Sequence, residues 1–329
     1  MAQLTLSRAP LRVSFFGGGT DYPEYFLNNG GGAVLGTAID KFSYVTASTF
    51  WSNLFDYKVR VSYRQVELVK DVADIQHRVY REALKFCGLE KDIELHNVAD
   101  LPAFSGLGSS SAFTVALLQA LHGYKGEMIK GIQLAYEAIH IERNLLHDHV
   151  GCQDQTFAAV GGFNLIEFRR EDDIVVHRVP LSPARIDELQ SHLLLVFTNI
   201  TRRASDIVAG QLQRIPQNDQ TLKQMRRMVD RGLQILSSAG SLLPFGELLH
   251  EAWQAKVSLA PDVSNDTISR MYALALENGA IGGKLLGAGG GGFLLLFAPP
   301  ERHGKLRSIF ADKQEVKVRL NAPGAEIVL

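Results

Sequence analysis

The sequence predicts an α+β protein, because strand-like and helix-like segments are mixed without the regular alternation of a parallel βαβ fold. β-Branched and aromatic residues dominate residues 4–63, in the segments RVSFF, FSYVTAST and YKVRVSY. Long helical patterns replace them later in the chain, at residues 204–213, 221–238, 242–258 and 266–277. The segments FLLLF and VKVRL then return to strand character around a short helix at residues 300–312.

The middle of the chain alternates between the two patterns. Residues 66–86 and 127–146 are expected to be helical, as is the stretch that ends near Leu121. Strands are expected at IELHNV, GGFNLIEF, IVVHRV and LLLVFTN. A chain of 329 residues is long enough for about two domains, and the change of character near residues 195–203 predicts domains 1–195 and 196–329.

Composition favours a small-molecule partner. Lysine and arginine number 34 against 35 for aspartate and glutamate, without a basic stripe, so we expect neither nucleic acid nor a membrane as partner. The two cysteines, Cys87 and Cys152, are too far apart for a zinc or redox motif. They favour a reducing cytoplasm, and the N-terminus carries no evident targeting segment. The oligomeric state is left open between monomer and homodimer.

The central stretch at residues 101–121, LPAFSGLGSSSAFTVALLQAL, is a glycine and serine loop that opens into an apolar helix. The first N–H groups of a helix lack partners within it and carry a partial positive charge, so this loop predicts a phosphate site. A capped helix after a flexible turn would look similar, since serine is a favoured N-cap. The loop is not a Walker A motif, because no lysine follows its glycines.

Two further glycine clusters flank the chain. In PLRVSFFGGGTDYPEYF, Thr20, Asp21 and Tyr22 follow the glycines and offer hydrogen bonds to a polyol, although a structural turn with an Asx cap has the same composition. Near the other end, GAGGGG satisfies the G-x-G-x-x-G pattern of dinucleotide-binding folds. It runs into the strand-like FLLLF instead of a helix, so we interpret it as a loop that packs closely against another loop.

The segment HIERNLLHDHVGCQDQTFAAVGG holds Glu142 and Asp154 among three histidines. A zinc hydrolase is one interpretation, but a helical i, i+4 histidine pair is missing. In a kinase, one carboxylate binds magnesium and another accepts or orients a hydroxyl proton, and Glu142 and Asp154 are candidates for these roles. Without the glycine loops, two solvated carboxylates would be the default interpretation.

Three stretches taken in order, PLRVSFFGGGTDY, P-x-x-S-G-L-G-S-S-S-A and K-L-L-G-A-G-G-G-G, resemble the three motifs of the GHMP small-molecule kinase superfamily. The resemblance extends over residues 8–297, and the pair Asp154 and Gln155, followed by two glycines, is a fourth match. It implies a two-domain fold of mixed sheets with helices packed on them and an active site between the domains. It also implies ATP and Mg²⁺ as cofactors.

The resemblance implies a role for each matching residue. The central loop would wrap the ATP phosphates through Ser105, Gly106, Leu107, Gly108, Ser109, Ser110 and Ser111. Mg²⁺ would be held by Glu142 and a loop serine, for which Ser110 is the best match. Asp154 would be the base or orienting residue, and Arg12 would lie beside the reacting hydroxyl. Substrate contacts would come from Gly18, Gly19, Thr20, Asp21, Tyr22, Gly287, Gly289 and Gly290.

The first motif also bears on the acceptor. It reads Gly-Gly-Gly-Thr-Asp-Tyr where galactokinases carry Gly-Glu-His-Thr-Asp-Tyr, which counts against galactose. Together with ITRRASDI, it most resembles kinases that phosphorylate the C1 hydroxyl of D-glycero-D-manno-heptose 7-phosphate. Such an acceptor needs a second anion site, for which Arg202 and Arg203 are candidates and Lys256 and Lys284 weaker ones. A kinase for another sugar, of the fucose or galactose type, and a non-catalytic ligand-binding homologue are the alternatives.

Overall fold

The computed structural model describes residues 3–103, 105–201 and 204–329, with the side chains of the last range described from residue 208 onward. The strands are β1 (Leu4–Phe16), β2 (Gly32–Thr49), β3 (Val59–Ser62), β4 (Val66–Val69), β5 (Ile93–Ala99), β6 (Phe163–Arg170), β7 (Asp173–Arg178), β8 (Leu193–Phe197), β9 (Gly282–Leu285), β10 (Phe293–Phe297) and β11 (Glu326–Ile327). The helices are α1 (Pro23–Phe26), α2 (Arg78–Cys87), α3 (Ser109–Tyr124), α4 (Gly131–Ile139), α5 (Gln153–Val160), α6 (Pro183–Ser191), α7 (Ala204–Gln213), α8 (Asp219–Ser237), α9 (Leu243–Val257), α10 (Asp266–Glu277) and α11 (His303–Ile309).

Two sheets form the framework of the described residues. The larger has eight strands in the order β11-β1-β2-β5-β3-β4, with β6 and β7 attached through β2. The long strand β2 serves two neighbours, because its first part pairs with β6 and its second part with β5. The pairing is mixed, since β3 runs parallel to β5 while β1 runs antiparallel to β2. The smaller sheet has the order β8-β10-β9. These sheets confirm the predicted α+β class.

Helix α3 positions the central loop. Nine of its 16 residues are buried, which is typical of a helix in a core, and it packs against β1, β2, α4 and α5. Val115, Leu117 and Leu118 are among its fully buried side chains. This packing fixes the first turn of α3, and therefore the glycine and serine loop before it, relative to strand β1.

One hydrophobic cluster includes residues from both sheets and from α8 and α9. Phe245 on α9 packs edge-on against Phe15 and Phe16 at the end of β1, with ring centroids 5.3 Å and 5.0 Å apart. Aromatic pairs in this geometry add stabilisation beyond the area that they bury. The end of β1 therefore packs against the C-terminal half of the chain.

Two predicted elements differ in the structure. Residues 66–86 were expected to form one helix, but β4 occupies the start and α2 begins only at Arg78. Val66–Val69 pairs with β3, and this cross-strand pairing overrides the helical pattern. VKVRL was expected to be a strand, yet residues 315 and 320 form isolated bridges to Val196 and Ile39, which lie in different sheets. The segment crosses between the sheets, so a ladder does not extend along it.

No helix within the described residues combines the length and apolar character needed to cross a membrane.

Candidate active site

A cleft that is open to solvent lies between the first turn of α3, the end of β1 and the loop from β9 to β10. Most of the predicted site residues line it, namely Arg12, Gly18, Gly19, Asp21, Tyr22, Gly106, Gly108, Ser109, Ser110, Ser111, Asp154, Gly287 and Gly289. Ser105, Leu107 and Thr20 are fully buried. The structure thus brings together residues from both ends and the middle of the chain. Arg202 and Arg203 lie outside the described residues.

The central loop has the backbone expected of an anion site. Gly106 and Gly108 have φ of +81° and +76°, a region that residues with a Cβ rarely adopt, and Gly108 is the N-cap of α3. Strand β1 holds the loop in place, since the Arg12 N–H donates to the Leu107 carbonyl at 3.0 Å. Ser109 and Ser110 follow in the first turn of α3, and Ser110 is exposed to the cleft. The first N–H groups of α3 therefore face a space where a phosphate would be bound.

Arg12 and Asp154 form an ion pair in the cleft. Nε and Nη2 of Arg12 each lie 2.8 Å from one oxygen of Asp154, and Nη1 donates to the Gly106 carbonyl at 2.7 Å. Arg12 is 4% exposed, whereas the side chain of Asp154 is 25% exposed. The planar guanidinium thus fixes the carboxylate in one orientation while leaving part of it open to the cleft.

Glu142 lies in a π-helical turn, His140–Leu145, that continues α4, and such turns are frequent at functional sites. It is 3% exposed, and its carboxylate accepts hydrogen bonds from Ser111 Oγ at 2.9 Å, Thr114 Oγ1 at 2.6 Å and Gln155 Nε2 at 2.5 Å. Burial raises the pKa of Glu142 to about 7, although these hydrogen bonds oppose the shift. The serine bonded to Glu142 is Ser111, one residue after the serine favoured from the sequence.

The first glycine motif forms a tight turn. The Asp21 carboxylate is 1% exposed and accepts hydrogen bonds from the Gly19 N–H at 3.0 Å and the Gln153 N–H at 3.4 Å. Burial raises the pKa of Asp21. The Thr20 hydroxyl donates to the Gly17 carbonyl at 2.8 Å and accepts from the Ala33 N–H at 3.1 Å. Thr20 and Asp21 thus stabilise the turn itself, as the structural alternative for this motif requires, while Asp21 also lines the cleft.

The loop between β9 and β10 packs directly on the central loop. A Cβ on Gly106 would lie 2.5 Å from the Leu286 carbonyl oxygen, and a Cβ on Gly287 would lie 2.7 Å from the Gly106 Cα. The Phe293 N–H also donates to the Ser105 carbonyl at 3.1 Å. These contacts confirm the interpretation of GAGGGG as a loop packed against another loop, and a strand rather than a helix follows it.

Two lysines that were weaker candidates from the sequence line the cleft. Lys256 is 8% exposed and donates to the Gly287 carbonyl, and burial lowers its pKa to about 8. Lys284 is 5% exposed and donates to the carbonyls of Ser14 at 2.9 Å and Phe15 at 3.0 Å, with its pKa well below the usual value because of burial. A lysine between glycines and buried strand residues, as in GGKLLG, was the available signal for Lys284.

Ser14 and Gln153 also line the cleft and were not expected there. Their positions beside Arg12 and Asp154 in the sequence were the available signal. Ser14 follows Arg12 by two residues on β1, and alternate residues of a strand share a face. Gln153 directly precedes Asp154 in the first turn of α5.

The family models and curated relatives agree on one superfamily. A model described as GHMP kinases N terminal domain matches residues 67–162, and one described as GHMP kinases C terminal matches residues 233–313. A D-glycero-alpha-D-manno-heptose 7-phosphate kinase from Campylobacter jejuni subsp. jejuni is 31% identical over 307 residues, covering 90% of each chain. A bifunctional fucokinase/GDP-fucose pyrophosphorylase from Arabidopsis thaliana is 26% identical, and the match covers 94% of this chain but 31% of that protein.

Solved structures agree on the fold. A D-glycero-D-manno-heptose 1-phosphate kinase from Bacteriodes thetaiotaomicron superposes with a TM-score of 0.80 over 99% of each chain, at 23% identity. A Lactococcus lactis galactokinase complexed with galactose has a TM-score of 0.74 over 98% of this chain and 95% of its own, at 18% identity. The predicted fold is therefore confirmed, and the chain belongs to the GHMP kinase superfamily as an ATP-dependent phosphotransferase with an alcohol group as acceptor.

Proposed function

We propose that this kinase is a sugar kinase that transfers the γ-phosphoryl group of ATP to the C1 hydroxyl of D-glycero-D-manno-heptose 7-phosphate. The proposed catalytic roles rest on the bidentate ion pair of Arg12 and Asp154, which lies beside the first turn of α3. The substrate part is supported by the 31% identity to a heptose 7-phosphate kinase over 90% of both chains.

In the proposed reaction, Asp154 accepts or orients the proton of the acceptor hydroxyl, and the hydroxyl oxygen attacks the γ-phosphorus in line with the leaving ADP oxygen. Arg12 holds the Asp154 carboxylate in place and offers positive charge where the transferred phosphoryl group becomes more negative. The N–H groups at the start of α3, with Ser109 and Ser110, bind the nucleotide phosphates. Catalysis then rests on positioning and charge neutralisation.

Mg²⁺ is part of the proposal, and the residues fit it. Glu142 is a buried carboxylate whose hydrogen-bond donors are hydroxyls and an amide rather than cations. Carboxylate and hydroxyl oxygens are the ligands that Mg²⁺ prefers, and the ion usually completes its shell with phosphates and water. Glu142 and a serine of the loop, Ser110 or Ser111, would hold the ion, which would neutralise phosphate charge.

The acceptor site and the domain arrangement complete the proposal. The acceptor lies against Gly18, Gly19, Asp21 and Tyr22, and the floor of the site is the loop that contains Gly287, Gly289 and Gly290. Arg202 and Arg203 remain candidates for the acceptor's own phosphate, together with Lys256. Residues from both proposed domains, 1–195 and 196–329, line the cleft, which supports an active site between them.

A coupled assay for ADP release tests the proposal over a panel of heptose 7-phosphate, heptose 1-phosphate, fucose, galactose and mevalonate. We expect the highest kcat/KM with heptose 7-phosphate and a product that carries a second phosphate at C1 by ³¹P NMR. A higher kcat/KM with fucose or galactose would replace the proposed substrate. ATP binding without turnover of any acceptor would indicate a non-catalytic homologue.

A further inference from the structure

Gly18 is a glycine that the local backbone does not need. Its neighbours Gly17 and Gly19 have φ of +85° and +104°, and a Cβ on Gly17 would lie 1.9 Å from the Ala33 carbonyl oxygen. Gly18 has no such φ, and the nearest atoms to a Cβ built on it are Gln153 Nε2 at 3.8 Å and Ser14 Oγ at 4.0 Å. Any residue could adopt this backbone, so the missing side chain is explained by the space that it leaves in the cleft.

Two side chains beside that space, Ser14 and Gln153, each carry a polar atom without a protein partner in the described part of the chain. Ser14 is 7% exposed, and its Oγ has no hydrogen-bond partner within the described residues. The same holds for Oε1 of Gln153, a buried atom of a side chain that lines the cleft. Buried polar atoms are nearly always hydrogen-bonded in folded proteins, because an unpaired one is costly. Two such side chains next to the space left at Gly18 therefore suit a ligand with hydroxyl groups, which would meet the Ser14 hydroxyl and the Gln153 amide, whose Nε2 is the amide atom nearest to that space.

The space lies close to the reacting pair. Ser14 and Arg12 point to the same face of β1 and are two residues apart, which corresponds to about 7 Å along a strand, and both line the cleft. Gln153 adjoins Asp154, the partner of Arg12. A separation of this size is comparable to the width of a sugar ring. Lys284 fixes this end of β1 by donating to the carbonyls of Ser14 and Phe15.

We propose that Ser14, Gly18 and Gln153 form a subsite for the hydroxyl-bearing carbons of the acceptor that lie away from the reacting hydroxyl. The Ser14 hydroxyl and the Gln153 amide hydrogen-bond this part of a polyol, and the missing side chain at Gly18 sets how large it can be. The inference rests on the proposed function in one respect, namely that the acceptor is a sugar.

A graded series at Gly18 tests the size limit. We expect Gly18→Ala to lower kcat/KM for the sugar about tenfold and Gly18→Leu at least a hundredfold, mainly through KM, with KM for ATP unchanged. Sugars with fewer exocyclic carbons should lose less. The matched control is Gly304→Leu, because a Cβ there meets nothing within 4 Å and Gly304 lies on α11, away from the cleft-lining residues.

Ser14→Ala separates binding from a structural role. It removes a hydroxyl that has no protein partner in the described structure, so we expect Tm to stay unchanged or rise while KM for the sugar increases about tenfold. Gln153→Leu should likewise raise KM for the sugar without lowering Tm. Each variant is compared with the wild type on whichever sugar the wild type phosphorylates best. If the proposed sugar is wrong, the wild type will phosphorylate another sugar of the panel best. If the proposed subsite is wrong, Gly18→Leu or Ser14→Ala will keep wild-type kcat/KM on that sugar.

Discussion

Arg12 and Asp154 face each other with two parallel hydrogen bonds of 2.8 Å, although they lie at opposite ends of the N-terminal half of the chain. A third contact of Arg12, from Nη1 to the Gly106 carbonyl at 2.7 Å, joins the pair to the central loop. Gly106 in turn lies against Leu286 and Gly287. One guanidinium therefore links the carboxylate, the loop at the start of α3 and, through that loop, the C-terminal glycines.

Asp154→Asn tests the assignment of the carboxylate. The amide keeps the shape but can neither accept a proton nor pair fully with Arg12, so we expect kcat to fall by about 10² to 10⁴. The affinity for ATP should change little, because the N–H groups of α3 do not depend on this side chain. Single-turnover kinetics and calorimetric titration with a non-hydrolysable ATP analogue measure the two effects.

The control for that variant is Asp172→Asn, since the Asp172 side chain is 88% exposed. It should keep wild-type kcat and wild-type affinity for ATP. Wild-type turnover in Asp154→Asn would remove Asp154 from the proposed mechanism.

Most residues that the sequence singled out line one cleft, whereas some of the predicted local elements differ. Glycine clusters predict backbone behaviour directly, because positive φ and close approach of chains require the absence of a Cβ, as at Gly106 and Gly287. The helix expected at residues 66–86 was wrong because pairing with β3 decides the conformation of Val66–Val69. Three residues separate β3 from β4, so the two strands form a hairpin, and the helical pattern assigned to residues 66–86 left this pairing out of account.

The sequence indicated Lys256 and Lys284 only as weaker candidates, and it did not separate the roles of individual serines. Lys284 is near the cleft only because β9 brings it to the end of β1, 270 residues earlier in the chain. The choice between Ser110 and Ser111 depends on which hydroxyl the helix turns toward Glu142. The division between 1–195 and 196–329 stays a prediction, since β8 (Leu193–Phe197) spans it and pairs with β10.

Glu142 should make stability depend on pH in a defined direction. Its pKa in the folded protein is about 7 against an ordinary 4.5, so between these values the folded state keeps a proton that the unfolded state has lost. The contribution of Glu142 to stability is therefore complete below about pH 4.5 and falls as pH rises to about 7, by an amount on the order of 3 kcal/mol.

Urea denaturation of the wild type and of Glu142→Gln, at intervals from pH 5 to 8 without Mg²⁺, measures this effect. The glutamine cannot ionise, so the wild type should lose stability relative to the variant as pH rises. Other titrating groups are common to both proteins and cancel in the difference. A difference that stays constant over this range would contradict the raised pKa.

Lys284→Met tests the connection between β9 and β1. The substitution keeps an unbranched apolar stem but removes both hydrogen bonds to the carbonyls of Ser14 and Phe15. We expect a loss of about 1 to 3 kcal/mol in the free energy of unfolding, because two buried carbonyls lose their donors. The relieved cost of burying the ammonium offsets part of this loss. KM for the sugar should also rise, since Ser14 is no longer fixed.

Lys223→Met is the control for Lys284→Met. The ammonium of Lys223 pairs with Asp219 four residues earlier on α8, and its side chain is 49% exposed. An exposed pair of this kind contributes little, so the free energy of unfolding should change by less than about 0.5 kcal/mol. Equal effects of the two substitutions would show that Lys284 has no special role in joining the strands.

Gly106→Ala should disrupt nucleotide binding through the backbone. The residue has φ of +81°, and the added Cβ would lie 2.5 Å from the Leu286 carbonyl oxygen, so either the loop or its neighbour must move. The strain costs about 1 to 3 kcal/mol, and movement of the loop would shift the N–H groups of α3 and the carbonyl that binds Arg12. We expect a Tm lowered by several degrees and an affinity for ATP reduced at least tenfold.

Gly287→Ala is the partner experiment, because its Cβ would lie 2.7 Å from the Gly106 Cα on the other side of the same contact. Both variants push the two loops apart. The free energy of unfolding of the double variant should therefore fall by less than the sum of the decreases in the two single variants. Gly304→Ala serves as the control, since its Cβ meets nothing within 4 Å and alanine favours the helix. Strictly additive losses in Tm and ATP affinity would mean that the glycines act independently and that the loop contact does not shape the nucleotide site.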